Sequence, residues 1–198
     1  MKIMLFAGLD LTSSQHKASY IAFLNEELIA KIVKVHTDEE IIKAVADVEI
    51  YALGIDAPLS FPKHGMFRGC EKILLGLGIR FFPPTLPSMK GLTKRGVRLA
   101  SALSSRNIKV LEVYPGGSQD VLCIPRKKKS LSLLKRGLEE LGISLPIGRL
   151  NGDALDAVSA AYTVYLYWRG NYLRLSSDDC ELILPIPRCL PRTPSPRG

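Results

Sequence analysis

The chain has 198 residues, 46% of them hydrophobic, which is too apolar for a disordered chain and enough for one well-buried core, with no composition break that calls for two domains. Lysine and arginine number 27 against 19 acids, a formal net charge of +8 that favours a polyanionic partner, nucleic acid ahead of an anionic membrane surface. No run is long and uncharged enough to span a bilayer, and Asp10 interrupts the apolar start "MKIMLFAGLD" before a signal-peptide core can form, so the expectation is a cytoplasmic protein without a membrane partner.

Residues 2–10, 17–24 and 27–35 are short stretches rich in Ile, Val, Phe and Tyr, the last two separated by the turn-like "NEE", and they predict a three-stranded antiparallel meander. "HTDEEIIKAVADV" carries a helix start: Thr37 or Asp38 can cap, acids fill the first turn, and Ile41, Ile42 and Val45 share one face. "EIYALGID" reads as a buried strand ending at Asp56, and the Pro- and Gly-rich "APLSFPKHGMF" as a loop. A helix is expected over 68–77, a break at "RFFPPTLPS", and a second helix over 90–106 with Val97, Ala100 and Leu103 inward and Lys90, Lys94, Arg95 and Arg98 outward. "IKVLEVYPGG" is a strand ending at Glu112 or Val113, stopped by Pro115 and two glycines.

Beyond it come the "RKKK" run (126–129), an amphipathic helix over 130–141, the "LPIGRLNG" linker, a long apolar helix, and two strand-like pieces near 172–175 and 181–184. "PIPRCLPRTPSPRG" reads as a Pro- and Arg-rich tail, so the expected organisation is a domain over 1–186 and a disordered segment over 187–198. This order of elements predicts an α/β protein, a mixed sheet with helices on both faces. Cys70, Cys123, Cys180 and Cys189 lack CxxC spacing and read as free structural thiols, with a Cys180–Cys189 pair as the alternative. His16, His36 and His64 stand apart from one another and read as surface or packing residues.

The apolar helix, "LNGDALDAVSAAYTVYLYW", opens with Asp153 and Asp156, three apart and so on one face. One aspartate is explained by the macrodipole and capping; a second, a turn inside and flanked by Leu155, Ala157 and Val158, is less naturally so. Asp10 closes the first strand, Asp56 the fourth and Glu112 the fifth. If these strands are parallel neighbours, the three acids converge about 5 Å apart per strand at the carboxyl edge, where ligands bind in such sheets. Clustered carboxylates repel unless a cation neutralises them, and an all-oxygen set selects Mg²⁺ or Mn²⁺. Two ions roughly 4 Å apart would hold an attacking water and a leaving oxygen in line for phosphoryl transfer.

"GLDLTSS" with Asp10, "GIDAPLSFP" with Asp56, "FRGCEKILLGLGIRFFPP", "LEVYPGG" with Glu112 and "GDALDAVSAAYTVYLYWRG" together resemble, over roughly residues 5–186, the family catalogued as domain of unknown function 429, described as predicted nucleases of the RNase H-like superfamily. The resemblance implies a five-stranded mixed sheet in 3-2-1-4-5 order and two divalent metals. By position, Asp10 and Asp56 resemble the superfamily's strand carboxylates, and Asp153 and Asp156 the helical Asp pair of RuvC-type resolvases. Those resolvases generally carry a glutamate where this chain has Asp56, one methylene shorter. Glu112 belongs to the family's own "EVYP"-like motif and is included with these four as a candidate catalytic residue.

Candidate substrate contacts are basic. Lys127, Lys128 and Lys129 form either the phosphate-contacting rim of a nucleic-acid groove or a solvated loop, and one of them can reach the metal site. Arg68, in "RGCE", is a candidate bidentate phosphate ligand, with a helix-cap and ion-pair role alongside Glu71 as the alternative. The expected function is a divalent-metal-dependent nuclease hydrolysing phosphodiester bonds of DNA or RNA. The alternatives are a non-catalytic module of the same fold that binds nucleic acid or a partner, and a nucleotide-binding phosphotransferase of the actin and sugar-kinase type, suggested by "GLDLTSS" but needing two such domains around a cleft.

Overall fold

The computed structural model describes residues 4–189. Strands β1 (Leu5–Asp10), β2 (Ser19–Leu24) and β3 (Ala30–Val35) form the antiparallel meander, with Asp10 opposite Tyr20 and Ser19 opposite Val35. Helix α1 (Asp38–Ala46) begins with a capping box in which Thr37 accepts from the Glu40 N–H while the Glu40 carboxylate accepts from the Thr37 N–H. Strand β4 (Ile50–Asp56) then returns parallel to β1 and aligns Asp56 with Asp10.

Helices α2 (Gly69–Gly76) and α3 (Pro87–Ser104) precede β5 (Val110–Val113), which lies parallel to β4. Helix α4 (Pro115–Val121) arises where the sequence reading has only a stop: Pro115 sits at its first position, where the missing N–H is no loss and the fixed φ suits a helix. Helices α5 (Leu131–Glu140) and α6 (Gly152–Trp168) follow, then β6 (Tyr172–Ser176) and β7 (Glu181–Pro185).

The strands form a seven-stranded sheet in the order β3-β2-β1-β4-β5-β7-β6, which corrects the expected five-stranded sheet. The two strand-like pieces pair with each other from Tyr172↔Pro185 to Ser176↔Glu181, and the hairpin extends the sheet past β5 through Val113↔Ile183. A four-residue β5 would otherwise leave its outer edge unpaired. The tail expected over 187–198 lies outside the described residues from 190 onward, and so do residues 2 and 3 of the first predicted strand.

Side chains alternate across the sheet with period two. Ala7, Leu9, Leu53 and Ile55 pack with Ile41 and Val45 of α1 and Leu99 and Leu103 of α3, while Phe6, Ala52 and Val113 pack with α6 and with Leu134 and Leu138 of α5. Helix α6 is buried without interruption from Ala154 to Val164, as an all-round apolar helix requires. It can lie so close to the sheet because β1 offers no side chain at Gly8: a Cβ there would sit 2.1 Å from the Ala161 nitrogen and 2.4 Å from the Ala157 carbonyl oxygen.

The free-thiol expectation is corrected. Cys70 is bonded to Cys180 and Cys123 to Cys189, with Cα separations of 6.1 and 5.8 Å. The first pairing follows from α2 packing on the β6–β7 hairpin, where Cys70 and Leu74 meet Leu175, Leu182 and Leu184. The second follows from the segment after β7 docking on the end of α4, where the Arg188 N–H donates to the Val121 carbonyl at 2.8 Å. No helix among the described residues is long and apolar enough to cross a membrane.

Gly8→Ala is expected to cost at least about 3 kcal/mol, because the clash is with helix backbone rather than with a movable side chain. Gly76→Ala, at an exposed helix position with nothing within 4 Å of the added methyl, is expected to change stability by less than about 1 kcal/mol in the favourable direction. Urea denaturation of both variants measures the difference.

Candidate metal centre

Three of the five expected acids meet. Asp10 and Asp56 end neighbouring parallel strands in register, and both share a sheet face with Gly8 and Gly54, the face covered by α6. The first turns of α6 bring Asp156 to the same point, so that one carboxylate oxygen from each of Asp10, Asp56 and Asp156 lies within 4.8 Å of the others. Asp10 and Asp156 are buried and Asp56 is partly so. Neither helical aspartate is the N-cap: Asn151 fills that role, its Oδ1 accepting from the Ala154 N–H at 2.8 Å. Capping therefore does not account for the aspartate pair.

Asp153 stands at the margin. Its Oδ1 accepts from Lys127 Nζ at 2.5 Å, and the same ammonium reaches Asp156 Oδ2 at 2.8 Å. The other Asp156 oxygen, Oδ1, accepts from Gln119 Nε2 at 2.7 Å, and Gln119 also donates to Ser159 Oγ at 3.0 Å. Gln119 was not anticipated from the sequence, since it lies on α4, the helix begun by Pro115. Of the three consecutive lysines only Lys127 enters the centre. Lys128 is exposed, with its ammonium 5.7 Å from the centre of the Phe82 ring, and Lys129 is exposed.

Glu112 faces the other way. It stands opposite Ile55 rather than Asp56, so its side chain emerges on the opposite face of the sheet, where the Leu59 N–H donates to Oε2 at 2.8 Å. There it meets Arg68, whose guanidinium is buried and fully engaged: Nη1 donates to Glu112 Oε2 and Ser60 Oγ, Nη2 to Glu112 Oε1 and Glu71 Oε1, and Nε to Glu71. Burial works against the Arg68 charge, but the hydrogen bonds and charges of Glu112 and Glu71 more than offset it and hold the guanidinium protonated. The geometry gives Arg68 and Glu112 to an ion triad that ties α2 and the loop after β4 to β5, and leaves Arg68 no free donor for a phosphate.

In the acid cluster the carboxylates outnumber the one ammonium beside them. Burial pushes the Asp10 carboxyl from its ordinary 3.8 up to about 7; Lys127 opposes this, and Asp156 and Asp153 add to it. Asp56 is raised well above the carboxylate range by burial and by its neighbours Asp10 and Asp156. Burial disfavours the Lys127 charge, yet Asp156, Asp153 and Asp10 together hold its pKa above the usual lysine value. Three carboxylate oxygens converging without histidine or cysteine are a donor set suited to a hard divalent cation such as Mg²⁺ or Mn²⁺, which takes oxygen ligands and would replace the protons that Asp10 and Asp56 otherwise retain.

No protein-family model matches the chain, and no curated protein or solved structure matches it.

Two outcomes follow. Because the Asp10 pKa is raised on folding, the metal-free folded state binds that proton more tightly than the unfolded chain, and the associated stability declines as pH rises from about 4 through 7. Asp10→Asn removes this titration and is expected to stabilise the metal-free protein at pH 8 by about 1–3 kcal/mol, with a smaller gain at pH 5, read from thermal melts at both pH values. Arg68→Met strands Glu71 and Glu112 and is expected to cost about 3–5 kcal/mol in urea denaturation; unchanged stability with loss of nucleic-acid binding would return Arg68 to a phosphate-binding role.

Proposed function

We propose that the chain is a divalent-metal-dependent nuclease of RNase H-like architecture, hydrolysing phosphodiester bonds of DNA or RNA. The observation that carries the reading is the convergence of Asp10, Asp56 and Asp156 at the carboxyl edge of parallel strands, from three separate elements. The order β3-β2-β1-β4-β5 within the larger sheet and the motif resemblance support it. In this reading Asp10, Asp56 and Asp156 hold Mg²⁺ or Mn²⁺, which when bound lowers the pKa of an attacking water and polarises the scissile phosphate.

The chain's own groups do the rest. Gln119 fixes the orientation of the Asp156 carboxylate by occupying one oxygen, as groups behind a metal ligand commonly do. Lys127 supplies fixed positive charge beside the cluster, where negative charge accumulates on a phosphoryl group in flight. Exposed Lys128 and Lys129 on the same loop are placed to contact flanking phosphates, and the net charge of +8 draws the polyanion in. A cytoplasmic setting belongs to this reading only where the compartment lets the two disulfides form, as in the disulfide-rich cell interiors of hyperthermophiles.

The second reading, a non-catalytic binding module, is favoured by one observation: Lys127 already compensates part of the cluster's charge without any ion. Calorimetric titration of Mn²⁺ into the wild type and Asp10→Asn, with cleavage assays on single-stranded, duplex, hybrid and branched substrates, separates the two. Expected are Mn²⁺ binding and metal-dependent cleavage in the wild type, with metal affinity at least about 100-fold weaker in Asp10→Asn. Salt-sensitive nucleic-acid binding without Mn²⁺ uptake would establish the module instead.

A further inference from the structure

We propose that the centre is built for one divalent ion, and that the Lys127 ammonium takes the place of the second cation expected in a two-ion phosphoryl-transfer site. The inference rests on the reading of Asp10, Asp56 and Asp156 as metal ligands and deepens it.

Of the five acids that the sequence offers, Glu112 lies on the other sheet face in its triad with Arg68, and Asp153 is turned to Lys127. Asp156 has one oxygen on Gln119 and the other on Lys127. What converges is three carboxylates, enough with water for one octahedral ion of the Mg²⁺ type, which keeps several waters when bound to protein. The ammonium itself lies between Asp153 and Asp156, at 2.5 and 2.8 Å, the position that a second ion shared by those two carboxylates would occupy.

The lysine also has a made berth. A Cβ on Gly152, the first residue of α6, would lie 2.7 Å from Lys127 Cδ and 3.1 Å from its Cβ, so the aliphatic stem runs across the helix start in space that only glycine leaves open. The loop carrying it is pinned on both sides. Arg126 donates through Nε to Asp120 Oδ1 at 2.9 Å and through Nη1 to the Tyr114 hydroxyl at 2.9 Å, and Ser130 caps α5 by accepting from the Leu133 N–H. An ammonium in a fixed position offsets negative charge as an ion does, without a loading step.

The test is the number of Mn²⁺ ions bound per chain, measured by calorimetry and by electron paramagnetic resonance on the full chain, where two adjacent Mn²⁺ ions give a spin-coupled signal. The wild type is expected to bind one ion with no coupled signal, Lys127→Arg to remain at one, and Lys127→Met to bind two. Gly152→Ala, which displaces the lysine stem while retaining its charge, provides a second variant should Lys127→Met fail to fold, and it too is expected to gain the second ion. Two coupled ions in the wild type, or a count that stays at one in the variant, overturns the proposal alone; no Mn²⁺ uptake by the wild type overturns it together with the metal-centre reading.

Discussion

Everything at the acid cluster depends on how closely a helix can approach a strand. Helix α6 comes against β1 with backbone nearly touching backbone at Gly8, and this distance sets the height of Asp156 above Asp10. A neighbouring glycine, Gly54 on β4, clears space for Val164 further along the same helix. Two absent side chains thus let one continuous apolar helix sink into the sheet, and its burial from Ala154 to Val164 supplies the apolar free energy that holds charged groups together at its start. Carboxylates this close repel, so the packing beneath them has to outweigh that repulsion.

The sheet divides its charges by face. On the α6 side the acids outnumber their partner and depend on protons, on Lys127 or on an incoming cation. On the other side Arg68 meets Glu71 and Glu112 with every donor used, and no buried side-chain polar atom among the described residues lacks a partner. A satisfied buried triad gives the loop after β4 a single position, and Asp56 is the last strand residue before that loop. The face with the satisfied triad therefore positions the acid cluster on the other.

How much of this was legible in the sequence depends on the residue. The ends of β1 and β4 were readable because Asp10 and Asp56 each follow an unbroken apolar run, and the helical acids because capping and the macrodipole explain one aspartate at the start of an apolar helix but not a second a turn inside. Glu112 was misjudged for a reason intrinsic to strands: the side chain changes face at each residue, so knowing that a strand ends at Glu112 or Val113 leaves its direction open until the register against Ile55 and Asp56 is known. The lysine run has no periodicity to distinguish its members, and Gln119 was hidden because Pro-Gly-Gly reads as a stop, whereas Pro115 starts a helix whose glycines fit against Tyr114 and Leu184. The cysteine partners and the attachment of the β6–β7 hairpin to β5 depend on tertiary neighbours distant in sequence, which spacing does not encode.

The order of the elements has a consequence for synthesis. Asp10 lies in the first strand and Asp56 in the fourth, but Asp156 belongs to the last helix, and the strands that extend the sheet come after it. A chain emerging from the ribosome can build the β1–β4 platform early, as domains assemble from their N-terminal side, yet it lacks the third carboxylate of the cluster until α6 has been made. Any fragment released or cut before Gly152 lacks Asp156, so the three-carboxylate cluster on which the proposed activity rests is withheld from unfinished chains by topology alone.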